Sequence, residues 1–189
     1  MEICSWPKGE PLMVKYHDEE WGKPARNDRK IFEFLVLESA QAGLSWLTIL
    51  RKRKGYKRAF ANFEPKQIAR FDKRNVTRLL KNPNIIRNRL KIEAAINNAK
   101  RFLEVQKEFG TFGKYMWGFV GGRPIDGRRK HLGDVPAITT ESQALAGDLK
   151  RRGFRFLGPT VVYAHMQAVG MVNDHVKSCF RYRELKHQK

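Results

Sequence analysis

Two cysteines and two histidines, placed near opposite ends of the chain, are the residue types best suited to binding a metal ion. Cys4 and His17 lie near one end, and His175 and Cys179 lie near the other. His175 and Cys179 are spaced i, i+4, which predicts that both side chains lie on one face of a helix. Two thiolates and two imidazoles form a common tetrahedral ligand set for structural zinc. The residues alone also allow two buried cysteines and two core or capping histidines.

A metal ion bound by these four residues would join the two ends of the chain. Its binding energy would then count as folding energy. The chain has only two cysteines, and we expect it to be cytoplasmic, where a disulfide between them is not favoured. One structural Zn2+ per chain is therefore one of two interpretations that the residues alone leave open.

A carboxylate at an expected core position is the second candidate for chemistry. Glu38 follows Leu35 by three residues and Ile31 by seven, so it shares their helix face. A buried carboxylate must be paired, protonated or functional. Aromatic rings are dense around it in the sequence and could form a slot for a flat cationic ligand: Trp6, Tyr16, Trp21 and Trp46. Alternatively, these rings are ordinary core and Glu38 lies in solvent at a helix end.

The strong positive charge indicates a nucleic-acid partner. The net charge is +19, and neutralising phosphates releases counterions from DNA or RNA. An anionic membrane surface is disfavoured because no long amphipathic helix carries the excess. Any single cluster could be an ordinary solvated surface. The clusters are Arg51-Lys52-Arg53-Lys54 with Lys57-Arg58, Arg128-Arg129-Lys130, and Lys150-Arg151-Arg152 with Arg155.

A glycine-bounded turn at 150–160 could bind the DNA backbone. Gly153 and Gly158 bracket the turn, and Pro159 suits the first position of the following helix. Backbone N–H groups at such a helix start can bind a phosphate without reading sequence. The alternative is a plain helix–helix connection.

Helical periodicity and capping residues predict an all-α fold that would position these residues. We expect one domain over 1–189, with no membrane span, no signal peptide and no obligate oligomer, hence a monomer. The segment 121–138 has four glycines and two prolines and predicts a long exposed loop. The predicted helices begin near 28, 45, 56, 65, 72, 87, 112, 140 (with a capping box over 140–143), 159 and 174.

Several ordered segments together resemble the 3-methyladenine DNA glycosylase I (Tag) family of the helix–hairpin–helix glycosylase superfamily. The resemblance covers nearly the whole chain, and its length makes it more specific than any single motif. The segments are Cys4-Ser5-Trp6, the stretches 16–22, 38–46 and 85–89, the hairpin 152–158, and Gly170-Met171-Val172-Asn173-Asp174-His175.

The resemblance implies a role for each candidate residue. It implies zinc held by Cys4, His17, His175 and Cys179, and an all-α helix–hairpin–helix fold whose ends the zinc joins. Glu38 and Tyr16 would hydrogen-bond a flipped 3-methyladenine, with Trp46 stacking on the base, and Trp6 and Trp21 completing the pocket. Gly43 and Leu44 would fill the gap left in the duplex. The DNA phosphates would be bound by the hairpin through Gly153, Phe154, Arg155, Gly158 and Thr160.

The implied reaction is hydrolysis of one glycosidic bond in base excision repair. A methyl group at N3 makes adenine cationic and a good leaving group, so the enzyme need not protonate it. Other superfamily members place a catalytic aspartate beyond the hairpin, whereas 176–183 contains no acid here. No lysine is placed as a Schiff-base nucleophile, so we expect no strand cleavage. The alternatives are a glycosylase for other lesions, a non-catalytic zinc-containing DNA-binding protein, and a ribosome-associated RNA binder.

Overall fold

The computed structural model describes residues 3–186, and it is mainly helical, which confirms the predicted fold class. Two short parallel strands, β1 (Ile125–Asp126) and β2 (Val172–Asn173), pair Ile125 with Val172. Single 3-10 turns lie at Ala61–Phe63, Gly118–Val120 and Leu132–Asp134. The helices are α1 (Pro11–Glu19), α2 (Asp28–Gln41), α3 (Trp46–Ala59), α4 (Pro65–Ile68), α5 (Lys73–Leu80), α6 (Arg89–Phe109), α7 (Phe112–Trp117), α8 (Thr140–Arg151), α9 (Pro159–Ala168) and α10 (Phe180–Leu185).

Side-chain caps begin the helices that position the candidate residues. Asn27 caps α2 by accepting from the Lys30 N–H, and Ser45 caps α3 by accepting from the Thr48 N–H. The capping box of α8 joins Thr139 to Ser142. It therefore lies one residue earlier than the predicted box, because the Thr139 side chain reaches the third residue of the helix.

Helix α2 forms the centre of the core. It contacts α3, α6, α7 and α9, and nine of its fourteen residues are buried. Phe32 packs edge-on against Phe102 of α6 at 5.0 Å, and Phe102 stacks on Phe112 of α7 at 4.1 Å. Such aromatic pairs add packing energy to the area that they bury. This rigid frame holds the C-terminal turn of α2, which carries Glu38.

The structure corrects two predictions about the chain ends. Helix α1, which carries His17, was not predicted; it begins at Pro11, which suits a first helical turn. His175 and Cys179 do not lie on one face of a helix, because α10 begins only at Phe180. They lie instead on the turn that follows β2.

Two further predictions change in the middle of the chain. Helix α3 continues through Gly55 to Ala59, where a second helix was expected to begin near Tyr56. Gly55 is needed there because a Cβ would lie 2.1 Å from the Asn84 carbonyl oxygen. The 121–138 loop is less irregular than predicted, since it contains β1 and a 3-10 turn. No helix within residues 3–186 is both long enough and apolar enough to cross a membrane.

Candidate active site and metal centre

An aromatic cavity of about 240 Å³ opens between α1, α2, α3, α9 and the 121–138 loop. It is smaller than the roughly 300–1,000 Å³ typical of sites for drug-sized ligands, so it suits a single flat ring system. The structure brings Glu38 and all four predicted aromatic residues to its wall. The lining residues are Trp6, Met13, Tyr16, Trp21, Glu38, Gln41, Trp46, Leu132, Val135, Ala164 and Gln167.

Glu38 is the carboxylate in this cavity. Its side chain belongs to the last turn of α2, and the residue is only 4% exposed. None of the hydrogen bonds or ion pairs found within residues 3–186 involves its carboxyl group. Burial raises the pKa of Glu38 from 4.5 to about 8, because the charged form loses its hydration. A cationic ring placed beside it would supply the missing charge partner.

The aromatic wall is built from edge-to-face and tilted contacts. Trp6 meets Trp21 with ring centroids 5.2 Å apart, and Tyr16 meets Trp46 at 5.3 Å. Burial raises the pKa of Tyr16, and the nearby Glu38 raises it further, so this hydroxyl remains a donor. The buried indole N–H groups of Trp6 and Trp46 have no hydrogen-bond partner in the described chain. The cavity thus offers π faces, unused donors and one carboxyl group.

Several wall residues were not predicted from the sequence. Gln41 follows Glu38 by three positions on α2, so helical spacing could have identified it. Leu132 and Val135 come from the 121–138 loop, and no sequence signal indicated that this loop reaches the cavity. The other unpredicted wall residues are Met13, Ala164 and Gln167.

A buried aspartate holds the loop against α9. Asp174 is 1% exposed, and it accepts from Arg129 Nε at 2.8 Å, Tyr163 Oη at 2.5 Å and Gln167 Nε2 at 2.9 Å. Arg129 belongs to the loop, and Gln167 also lines the cavity. The oxygen atoms of Asp174 are therefore committed to structural contacts.

Cys4, His17, His175 and Cys179 converge in one buried cluster, hereafter the Cys/His cluster, whose four ligand atoms all lie within 4.8 Å of one another. The Nδ1 atom of His175 lies 3.1 Å from His17 Nε2, 3.6 Å from Cys4 Sγ and 3.7 Å from Cys179 Sγ. The edges of a tetrahedron around zinc, with bonds of about 2.0 Å to nitrogen and 2.3 Å to sulfur, measure roughly 3.3–3.8 Å. The three distances from His175 Nδ1 are close to these values, and a contraction of the widest separation, at most 4.8 Å, would complete the tetrahedron.

The outer nitrogen atoms of both histidines support metal binding. His17 Nδ1 contacts Asp18 Oδ1 at 2.6 Å, and His175 Nε2 donates to the Trp21 carbonyl at 3.0 Å. With protons on these outer atoms, two neutral rings would face each other with lone pairs only 3.1 Å apart. A cation between them relieves that repulsion, and such outer partners commonly orient metal-bound histidines. The residues present therefore fit a zinc ion.

The Cys/His cluster and the aromatic cavity share a wall. Trp21 packs against His175 at 4.5 Å, and Trp6 packs against His17 at 5.4 Å. The cluster therefore contacts two of the cavity's tryptophans. Within the cluster, the pKa of the Cys179 thiol is lowered by its hydrogen bond with Cys4 and then by those with the two histidines.

The predicted hairpin lies between α8 and α9. Gly153 ends α8 with a φ of +81°, and Gly158 precedes the first residue of α9. Buried Asn98 of α6 clamps the hairpin, since it donates to the Arg155 carbonyl at 2.9 Å and accepts from the Arg155 N–H at 2.8 Å. The Phe154 side chain is buried against Phe112, so only its backbone could meet DNA. Gly153, Arg155, Gly158 and Thr160 are exposed.

Leu44 is presented on a tight turn between α2 and α3. The Leu44 N–H donates to the Gln41 carbonyl at 2.6 Å. Ala42 has φ and ψ of −42° and 117°, and Gly43 has a φ of +77°. These are the angles of a type II turn, which favours glycine at its third position. Leu44 is 39% exposed and projects from this turn, hereafter the 41–44 turn.

The basic run on α3 divides into two parts. Arg53 is paired with Glu20 and Glu33 at 2.6 and 2.7 Å. Four other cations of the run, although not Lys57, face a groove of about 520 Å³ that no carboxylate lines within the described chain. One of them, Arg51, also pairs with Glu10 at 3.5 Å. The groove is bounded by Thr48, Arg51, Lys52, Lys54, Gly55, Arg58 and Asn84. Its chemistry suits phosphate groups.

Comparison with known proteins gives a consistent result. The model of the methyladenine glycosylase family matches residues 6–182. The DNA-3-methyladenine glycosylase 1 of Escherichia coli K12 is 43% identical over 182 residues, which span 96% of this chain and 97% of that protein. The DNA-3-methyladenine glycosylase of Haemophilus influenzae is also 43% identical, over 93% of this chain and 95% of that protein.

Solved structures share the fold. A crystal structure of 3-methyladenine DNA glycosylase I superposes with a TM-score of 0.92 at 45% identity, over 95% of this chain and 98% of that one. The Staphylococcus aureus enzyme, solved to explain 3-methyladenine recognition, gives a TM-score of 0.92 at 38% identity, over 95% and 96%.

Proposed function

The chain belongs to the methyladenine glycosylase family, and from this premise we propose that it removes 3-methyladenine from duplex DNA by flipping the damaged nucleotide into the aromatic cavity. The observation that carries the proposal is Glu38, a buried carboxyl group that has no hydrogen-bond or ion-pair partner within residues 3–186 and lies in an aromatic slot. Neutral adenine would leave the negative charge of the ionised Glu38 without a positive partner. Adenine methylated at N3 carries a positive charge, which a carboxylate in a water-poor cavity attracts.

We assign the recognition of the base to Glu38, Tyr16 and Trp46. Glu38 and Tyr16 would hydrogen-bond the flipped base, and Trp46 would stack on it. Trp6 and Trp21 would close the cavity on the side of the Cys/His cluster. Cation–π attraction to these rings adds to the preference for a charged base.

The reaction needs little chemistry from the protein. The C1′–N9 bond breaks, its electron pair neutralises the cationic base, and 3-methyladenine leaves. Water then forms the new bond to C1′ and gives its proton to solvent. The cavity lining within residues 3–186 includes no lysine, which supports hydrolysis without a covalent intermediate and without strand cleavage.

DNA binding is assigned to two exposed features. Gly43 and Leu44 would occupy the gap left by the flipped nucleotide, which offsets part of the unstacking cost of a few kcal/mol. Gly153, Phe154, Arg155, Gly158 and Thr160 of the hairpin would contact phosphates, with the Phe154 contact made through its backbone. The net charge of +19 supports this binding in a sequence-independent manner.

The Cys/His cluster would hold one structural Zn2+. The ion would supply cohesion between the segments near residues 4–17 and 175–179, with no part in bond breaking. We accordingly treat 1–189 as one functional domain that acts as a monomer.

The test is release of free bases from methylated duplex DNA, resolved by chromatography. We expect release of 3-methyladenine while 7-methylguanine remains in the DNA. Glu38→Gln should abolish most release but preserve duplex binding, because the amide cannot neutralise the base. Glu104→Gln, at an exposed position on α6, is the matched control and should behave as wild type. Full release by Glu38→Gln would remove the role of Glu38, and release of 7-methylguanine would indicate a broader glycosylase.

A further inference from the structure

A lysine from another helix holds the 41–44 turn. Lys91 lies on α6, and its Nζ atom donates to the Ala40 carbonyl at 2.8 Å and the Ala42 carbonyl at 2.6 Å. Ala40 belongs to the last turn of α2, and Ala42 is the second residue of the 41–44 turn. One ammonium group thus joins the end of α2 to the segment that presents Leu44.

The position of Lys91 is unfavourable for its own helix. Its backbone N–H donates to the Asn88 side chain that caps α6, so Lys91 lies in the first turn. A cation there opposes the positive end of the helix dipole. Helix α2 has no basic residue in its last turn, although its terminal carbonyls form a negative end. Lys91 supplies to α2 the cation that the sequence of α2 lacks.

The contact with Ala42 also selects the conformation of the turn. Type I and type II turns differ mainly by a flip of their central peptide, whose carbonyl belongs here to Ala42. A hydrogen bond from Lys91 to that carbonyl favours the observed type II form. The form in turn requires the positive φ of Gly43, and it sets the direction in which Leu44 leaves the backbone.

The same turn of α2 carries Glu38. Glu38 precedes Gln41 by three residues, and Gln41 closes the 41–44 turn through its carbonyl. Fixing the Ala40 and Ala42 carbonyls therefore fixes the placement of Leu44 relative to the aromatic cavity. Displacements of about 1 Å in such arrangements can reduce rates 100-fold.

We propose that Lys91 is a positioning residue for base flipping, which holds the 41–44 turn so that Leu44 enters the duplex in register with the aromatic cavity. The inference rests on the proposed function, since it assigns Lys91 to the flipping step. Lys91 is not among the residues that line the aromatic cavity, so its role differs from that of Glu38.

The test compares a paired lesion with an unpaired one. Lys91→Met keeps the length of the side chain but removes the ammonium group. Single-turnover release of 3-methyladenine is measured from a normal duplex and from a duplex with an abasic-site analogue opposite the lesion. We expect Lys91→Met to slow release from the paired duplex by about 10- to 100-fold. Release from the unpaired lesion should change by no more than about 2-fold, since less unstacking is needed there.

Controls separate positioning from charge and folding. Lys107→Met removes one exposed charge from the same helix and should match wild type on both substrates. Lys91→Arg should restore most of the paired rate. Binding of free 3-methyladenine, followed by tryptophan fluorescence, should be unchanged in Lys91→Met. Gly43→Ala meets no atom within 4 Å but strains the positive φ, so it should reproduce the selective loss even if Lys91→Met folds poorly.

Two results would overturn the inference. One is a Lys91→Met rate on the paired duplex equal to that of Lys107→Met. The other is an equal loss on paired and unpaired lesions, which would mean that Lys91 supports the cavity or the fold. Absence of release by the wild-type protein from both duplexes would instead refute the proposed function.

Discussion

Burial changes the acid–base properties of single residues in this protein. Glu38 is ordinary by type but has a pKa of about 8 in the cavity. In the unfolded chain it ionises near 4.5, so ionisation favours unfolding as the pH rises from 4.5 to 8, by up to about 5 kcal/mol. The protein therefore retains a destabilising carboxyl group in its core, which is typical of functional sites.

The pH dependence of base release should report this group. A proton on Glu38 removes its attraction for the cationic base, so kcat/KM should increase with pH and level off near pH 8. A bound cationic base favours the ionised form of Glu38. The rise of kcat with pH should therefore occur at lower pH than the rise of kcat/KM. The measurement is a pH profile on methylated duplex. If the rise of kcat/KM toward pH 8 persists in Glu38→Gln, that rise belongs to another ionisable group.

Residue types indicated the Cys/His cluster and the aromatic slot as candidates beside ordinary core roles, and the family resemblance decided between these alternatives. Lys91 and Asn98 were not predicted. Their partners are backbone carbonyl and N–H groups of Ala40, Ala42 and Arg155, which lie far away in sequence. Side-chain patterns carry no information about such contacts.

Among the secondary-structure elements, periodicity predicted α2, α6 and α8, whereas α3 was expected to be two helices and tertiary contacts decided the short segments. Helix α6 follows an apolar stripe that is evident in the sequence. The segment 174–179 has helical spacing between His175 and Cys179, yet it forms a turn because Val172–Asn173 pairs with Ile125–Asp126 instead. Strand pairing between distant segments cannot be read from local spacing.

The interface of α2 and α9 contains a buried histidine that should destabilise the protein in acid. His165 is 4% exposed, and neither ring nitrogen makes a hydrogen bond of normal geometry within residues 3–186, although the Phe34 backbone approaches it. Burial lowers the pKa of His165 from 6.5 to about 4. Between pH 6.5 and pH 4, His165 is protonated in the unfolded chain but neutral in the folded chain. The stability of the fold therefore falls as the pH drops toward 4.

We expect His165→Phe to remove about 2 kcal/mol of the stability loss between pH 7.5 and pH 5. Urea unfolding at both pH values measures the difference from wild type. His131→Gln changes an exposed histidine and should leave the loss as it is. If His165→Phe shows the same pH dependence of stability as wild type, the pKa of His165 does not differ between the folded and unfolded chain.

At the scale of the whole molecule, the two ends of the chain meet at one cluster. Cys4 and His175 are 171 positions apart but have ligand atoms 3.6 Å apart. The cavity draws its wall from α1, α2, α3, α9 and the 121–138 loop. Closure of the chain and assembly of the cavity are therefore linked through Trp6 and Trp21.

Removal of the expected zinc should destabilise the whole domain. A cross-link that closes a loop of this length stabilises by about 5 kcal/mol in the chain-entropy treatment. Chelation, or Cys179→Ser, should reduce the free energy of unfolding by a comparable amount, as measured in urea. Metal analysis of the wild-type protein should find one zinc per chain. Equal stability with and without chelator would exclude a structural metal.

The distance in sequence between the two halves of the Cys/His cluster also sets the time that separates their synthesis on the ribosome. Ribosomes add about 5–20 residues per second, so His175 is made roughly 10–35 s after Cys4. During that interval Cys4 and His17 are present on the nascent chain as half of the proposed ligand set, and most of the core helices can form before the other half emerges. Assembly of the proposed zinc site would then be a late event of biosynthesis, completed on a domain that is already largely folded.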